Sequence, residues 1–188
     1  IMLEPVLGAG GLIDPPASYL EGLRTLCDRH GALLIFDEVI SFRVSLGGKQ
    51  LLSGIKPDLT TFGKIIGGGI AIGALGGRAD IMSLFDPRGD NGINQSGTFT
   101  GNPLAMVSGI ASLENITEGE LDRLGALNRR LHDGVQAKIT ELGINLSANP
   151  VGSMMAIYGT RERFSASRAA IRALIRNKDA MRFLHLEL

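Results

Sequence analysis

Ala32-Leu33-Leu34-Ile35-Phe36-Asp37-Glu38-Val39 is a short apolar run that ends in two carboxylates. Without polar alternation, a run of this length reads as a strand buried on both faces, the kind that parallel sheets use. Upstream, residues 1–7 are strand-like and Gly8-Ala9-Gly10-Gly11 makes a turn or a close-approach loop. Pro15-Pro16 then precedes Tyr19, Leu20, Leu23, Leu26 and Cys27, whose three-and-four spacing predicts one apolar helical stripe ending at Gly31. Strand, helix and strand in that order is a βαβ crossover. The fold class is therefore α/β with a mostly parallel sheet. Asp37 and Glu38 arrive at the strand end, the edge where open α/β sheets place ligands.

Working outward, residues 41–55 carry no long periodic segment and read as an active-site loop. A strand is expected over 58–62, then Lys64 and Gly67-Gly68-Gly69, a strand over 72–75, a short helix over 79–85 and a loop over 86–92. Asn102-Pro103 opens a helix with Leu104, Val107, Ile110, Ala111 and Leu113 inward, Asn102 capping it. A longer helix over 118–142 uses Leu121, Leu124, Leu127, Leu131, Val135 and Ile139 as its stripe. Residues 144–146 and 153–158 look like strands and 166–188 like a helical tail. The expected organisation is part of a large domain over 1–115, a connecting helix over 116–142 and the start of a small C-terminal domain over 143–188. The chain opens inside a strand and closes inside a helix, so it reads as part of a larger polypeptide.

Nineteen Lys plus Arg balance nineteen Asp plus Glu in 188 residues, so charge makes no case for nucleic acid or an anionic membrane. Hydrophobic residues are 44% and charged ones 20%, a globular composition. No apolar stretch reaches membrane-spanning length. The single cysteine, Cys27, permits no internal disulfide and no cysteine-based zinc site, which favours a reducing, cytoplasmic setting. His30, His132 and His185 have no spacing that converges on a metal.

Lys64 follows Thr61-Phe62-Gly63 and precedes the three glycines. A lysine in an apolar, glycine-rich setting suits imine chemistry if burial or a nearby cation keeps its amine deprotonated. A carboxylate at one strand end and a lysine at the next would meet in one crevice. That pair suits pyridoxal phosphate, whose ring nitrogen needs a carboxylate to stay protonated and whose aldehyde needs a lysine. Other readings stay open on pattern alone. Asp37 also fits a cap or loop carboxylate, and Glu38 is equally eligible for any polar role. Lys64 also fits a snorkelling lysine. An Asp-Glu pair after a strand is also found in nucleotide hydrolases, but the glycine-rich phosphate loop they require is missing here.

Glu4-Pro5-Val6, Leu34-Ile35-Phe36-Asp37-Glu38-Val39, Lys56-Pro57-Asp58-Leu59-Thr60-Thr61-Phe62-Gly63-Lys64 and Ser96-Gly97-Thr98-Phe99-Thr100-Gly101-Asn102-Pro103-Leu104 closely resemble class III pyridoxal-phosphate aminotransferases. Within that family the likeness is to glutamate-1-semialdehyde 2,1-aminomutase and the β-amino-acid aminotransferases, over about residues 1–145. The resemblance implies a fold-type I, αβα large domain and a pyridoxal 5'-phosphate cofactor. It implies that Asp37 salt-bridges the ring nitrogen, Val39 packs on one ring face and Lys64 carries the cofactor and moves protons. Thr98 would reach the cofactor phosphate of the neighbouring subunit, which implies a homodimer. The substrates would be amino and keto acids, in a transamination or in the 1,2-shift of an aminomutase. A fold-retaining fragment without activity is the rival of a different class.

Two departures refine this. The family commonly has Asp-Glu-Val-x-Thr-Gly-Phe-Arg, whereas this chain runs Asp37-Glu38-Val39-Ile40-Ser41-Phe42-Arg43, one residue shorter. The shortened segment resembles β-amino-acid aminotransferases, in which an arginine near this point can meet a substrate carboxylate; Arg43 is the candidate for that role, with a surface or intersubunit ion pair as the equally open reading. Val6-Leu7-Gly8 replaces the Gln-Gly-Glu of many ω-amino-acid members and leans to the mutase-like branch. The family's phosphate loop and ring-stacking aromatic would precede Ile1, and a C-terminal carboxylate-binding arginine would follow Leu188.

Overall fold

The computed structural model describes residues 1–89, 92–162 and 172. Strands β1 (Met2–Leu3), β2 (Ile35–Asp37), β3 (Leu59–Gly63) and β4 (Gly73–Gly77) form one sheet in that order. The first three are parallel and β4 runs antiparallel to β3. Helix α1 (Ala17–His30) makes the crossover between β1 and β2, and α2 (Gly48–Ser53) lies in the connection between β2 and β3. Leu20 and Cys27 of α1 meet Leu34 and Phe36 of the β2 segment, all four fully buried, with Leu3, Leu23, Ala32 and Ile55 around them. Gly31 ends α1 in the left-handed conformation, φ 61°, as the sequence predicts. Tyr19 and Leu26 of the expected stripe are exposed.

Beyond the sheet come α3 (Ala79–Met82), α4 (Pro103–Asn115), α5 (Glu118–Glu141) and an antiparallel hairpin, β5 (Ser147–Val151) with β6 (Met154–Tyr158). The Asn102 side chain caps α4, accepting from the Leu104 and Ala105 amides at 3.0 and 3.2 Å, with Pro103 in its first turn. Thr117 caps α5. Asn128, in mid-α5, donates to the Gly152 and Met154 carbonyls at 2.9 and 2.8 Å and holds the hairpin turn against the helix.

Several expectations need correction. Strand β1 stops at Leu3 because Pro5 has no N–H to give a ladder and Glu4 turns back to accept from the Gly8 amide at 2.8 Å. Residues 41–55 are not simply a loop; they hold a 3-10 turn, Ser41–Val44, and α2. Helix α4 is turned over: Leu104, Val107, Ile110, Ala111 and Leu113 are exposed, while Ala105 and Gly109 are buried. A Cβ at Gly109 would run into the Ile66 carbonyl oxygen, so only small residues let α4 approach the Lys64–Gly67 turn. In α5, Ile139 of the expected stripe is buried, but Leu127 and Leu131 are exposed and Gly125 and Asn128 join the inner face. The first hairpin strand lies three residues later than expected; Pro150 is tolerated because a two-stranded sheet consists of edges. The tail expected over 166–188, with His185, lies outside the described residues apart from Arg172. Among the described residues no helix is long and apolar enough to cross a membrane.

Candidate active site

Asp37 and Thr61 are register partners across β2 and β3, and both strands run toward the same edge. Partners in adjacent parallel strands project from the same face of the sheet. Asp37 Oδ1 accepts from the Val39 amide at 3.1 Å, and no described residue donates to Oδ2. The Thr61 hydroxyl beside it is buried without a hydrogen-bond partner.

Lys64 begins three residues beyond Thr61, in the 3-10 turn Lys64–Gly67. Its φ is +50°, and among the described residues Leu12 is the other non-glycine residue in the left-handed region. That conformation costs a side-chain-bearing residue about 1 kcal/mol. The turn is clamped from α4, where Ser112 Oγ donates to the Ile65 carbonyl at 3.0 Å and Ser108 Oγ to the Gly68 carbonyl at 2.7 Å. Lys64 is exposed, and no described group pairs with its amine.

Lys64 opens on a cavity of about 910 Å³ shared with Val39, Arg43, Ile72 and Met154. Arg43, in the Ser41–Val44 turn, donates from Nε to Ser153 Oγ at 3.0 Å, while its two terminal nitrogens have no described partner. Thr98 does not line this cavity. It stands in an exposed turn next to Phe99, which is 81% exposed.

Two carboxylates that brace the sheet were not assigned from the sequence, Glu38 at the edge that bears Asp37 and Asp58 at the opposite ends of β2 and β3. Glu38 is fully buried and accepts from Ser41 Oγ at 2.7 Å and from the Lys49 and Gln50 amides, each at 2.8 Å. It is the clasp of the 41–50 segment, not a reacting group. Gly48, at φ +71°, is the signal that could have found it: a Cβ there would lie 2.6 Å from a Glu38 carboxylate oxygen. Asp58 accepts from the Leu34 amide at 2.7 Å and from Arg24 and Arg78 at 2.9 and 2.8 Å. Burial pushes its pKa up, but the Leu34 amide and the two guanidiniums outweigh that and hold the carboxyl well below the usual range. Elsewhere, His30 is exposed and His132 contacts Asp133 at 3.0 Å. Among the described residues no group of three His, Cys, Asp or Glu converges.

An available carboxylate oxygen, a buried hydroxyl lacking a partner and an amine with no described partner thus lie toward one sheet edge; Lys64 and the Arg43 guanidinium line the cavity there, whereas Asp37 and Thr61 are not among its lining residues. This donor set fits a heterocycle with a protonated ring nitrogen and a carbonyl. The family model of class-III aminotransferases matches residues 1–157. The chain belongs to the class-III aminotransferase family. Its fold is the α/β fold-type I of that family, with a mixed, mainly parallel sheet and a smaller sheet toward the C-terminus.

Among class-III relatives, the chain is 50% identical over 160 residues to a glutamate-1-semialdehyde 2,1-aminomutase of Laribacter hongkongensis (strain HLHK9), a match covering 84% of this chain and 37% of that protein. Among solved structures, it is 38% identical to an omega-transaminase from Sphaerobacter thermophilus, with a TM-score of 0.85 over 90% of this chain and 39% of that one. It is 36% identical to a beta-phenylalanine aminotransferase from Variovorax paradoxus, with a TM-score of 0.83 and the same coverage, 90% and 39%. The chain thus spans well under half the length of these relatives.

Proposed function

We propose that the protein carrying this chain is a pyridoxal 5'-phosphate-dependent aminotransferase that passes an amino group from an amino acid, a β-amino acid in particular, to a keto acid. The observation that carries this reading is the left-handed Lys64, with its unpaired amine on a cavity shared with Val39 and Arg43, beside the strand end that bears Asp37. Bound there, the cofactor supplies an aldehyde that condenses with amines and a ring that takes up the electron pair left at the substrate carbon.

The residues divide that work. Asp37, through the oxygen not used by the Val39 amide, keeps a proton on the ring nitrogen. Val39 packs on one ring face. Lys64 Nζ would hold the cofactor through its carbonyl carbon and, as a free amine, would serve as the base that takes a proton from the substrate carbon. Arg43 receives a substrate carboxylate on its two free nitrogens. Thr98, standing clear of its own cavity in an exposed turn, serves the cofactor phosphate of a partner subunit in a homodimer. Residues 1–115 belong to the large domain, 116–142 connect, and 143–188 begin the small domain; the separate β5–β6 sheet packed on α5 supports that division. Cys27, the single cysteine, supports a cytoplasmic setting.

The 50% identity to an aminomutase favours a second reading, an intramolecular 1,2-amino shift. The shortened segment carrying Arg43 and the likeness to two solved transaminases favour the first. Two assays separate them: a β-amino acid with 2-oxoglutarate should yield glutamate, whereas turnover of glutamate-1-semialdehyde with no acceptor consumed would assign the mutase. Borohydride treatment of the cofactor-loaded protein should fix the cofactor to Lys64 in the peptide map. No label at Lys64 would leave only a fold-retaining, inactive protein.

A further inference from the structure

The Arg43 guanidinium has two edges that can grip a carboxylate in parallel, one made by Nε with a terminal nitrogen and one made by the two terminal nitrogens. The first is engaged. Nε donates to Ser153 Oγ at 3.0 Å, across 110 residues of sequence. Ser153 sits in the hairpin turn between β5 and β6, and that turn is fastened on both sides of it. Asn128, buried in mid-α5, donates to the Gly152 and Met154 carbonyls at 2.9 and 2.8 Å. Gly152, at φ +57°, lies against Val44, the neighbour of Arg43, where an added Cβ would meet the valine side chain at 3.3 Å. A second tie, from the Asn149 side chain to the Leu12 carbonyl at 2.6 Å, binds β5 to the loop after β1. The hydroxyl is therefore presented by a framed turn and not by a wandering loop.

We infer that Ser153 is a positioning residue for substrate recognition: by occupying Nε it orients Arg43 so that only the terminal-nitrogen edge is offered to a substrate carboxylate. Asn128 acts one step further out, by fixing the turn. The hairpin, which comes from the far end of the chain, thereby enters the specificity of a site built on β2 and β3. This rests on the reading of Arg43 as the carboxylate receptor. Holding a guanidinium in one orientation removes ordering cost from binding and leaves no alternative edge to compete.

The test uses the cofactor-loaded protein with 3-aminobutanoate and its methyl ester as amino donors, 2-oxoglutarate as acceptor, and the variants Ser153→Ala, Ser153→Thr, Arg43→Ala and Ser153→Ala with Arg43→Ala. Ser153→Ala should lower kcat/KM for the acid about tenfold relative to the ester, chiefly through KM, as expected for one hydrogen bond to a charged group. Ser153→Thr, which keeps a hydroxyl, should recover most of it. In the Arg43→Ala background the serine change should add nothing. Calorimetric Kd values for 3-hydroxybutanoate, which carries the carboxylate but no amine, should follow the same order without turnover. Equal losses on acid and ester, or a loss that persists without Arg43, overturn the inference, because a purely structural role acts on both donors. If Arg43→Ala shifts the acid-to-ester ratio and Ser153→Ala does not, the inference falls and the reading of Arg43 stands. If Arg43→Ala leaves that ratio unchanged, both fall.

Discussion

Lys64 lies three residues past Thr61, the register partner of Asp37, and it holds a backbone conformation that side-chain-bearing residues avoid. The strand end would be more comfortable with a glycine at this position. The 3-10 turn and its clamp from α4 nevertheless hold a lysine there, as expected where function and stability pull apart.

Lys64→Gly should therefore separate the two. Relief of the left-handed strain should leave the thermal midpoint equal or higher, by up to about 1 kcal/mol in stability. Amino transfer should fall by at least about a thousandfold, since the amine that anchors cofactor and moves the proton is gone. A drop in stability alongside activity would show that the lysine side chain also supports the fold.

Asp58 sets an acid limit on the same framework. Its folded pKa is depressed, so its contribution is fully present above the ordinary carboxylate value of about 3.9 and is lost as pH falls below it. Asp58→Asn should cost about 2 kcal/mol near neutrality, by taking the buried carboxylate away from the Leu34 amide and Arg24, with little added by the half-exposed Arg78. Below pH 4 the stability of the variant should change less steeply than that of the parent. Urea midpoints from pH 7 to 2 would show parallel curves if Asp58 were not the group responsible.

Gly48 and Gly31 share a positive φ but not a neighbourhood. An added methyl at Gly31 meets nothing within 4 Å, whereas at Gly48 it collides with the Glu38 carboxylate. Gly31→Ala should cost about 1 kcal/mol, the backbone term alone. Gly48→Ala should cost at least about 2 kcal/mol, since it also breaks a buried carboxylate's hydrogen bonds. Denaturation of the two variants side by side checks the ranking.

The outward face of α4 bears on the proposed dimer. Val107 is 67% exposed and Ile110 58%, on the helix that follows the turn holding Thr98. Charges placed there, Val107→Glu with Ile110→Glu, should leave the helix intact and shift the assembly from dimer to monomer in sedimentation. An unchanged mass would move the subunit contact elsewhere.

Much of this was legible along the chain. The apolar run into Asp37, the helix ended by Gly31, the Asn102-Pro103 start of α4, and Lys64 after its strand all follow from local signals spanning a few residues. The order of elements then brought Asp37 and Lys64 to one edge of the sheet. What periodicity missed was the packing partner of each helix. The large apolar residues of α4 suggest the inner face, yet its small residues are inside, because a backbone turn from 40 residues earlier approaches closer than leucine would allow.

The amino-acid sequence by itself determined the α/β order, the caps and the family, since propensity and motif are written in neighbouring residues. Only the tertiary structure decided which oxygen of Asp37 is available, that Glu38 is a clasp, that Asp58 binds two arginines and that Ser153 meets Arg43. Those are hydrogen bonds between segments up to 110 residues apart, and their donors and acceptors are matched by the folding of the chain, not by any spacing along it.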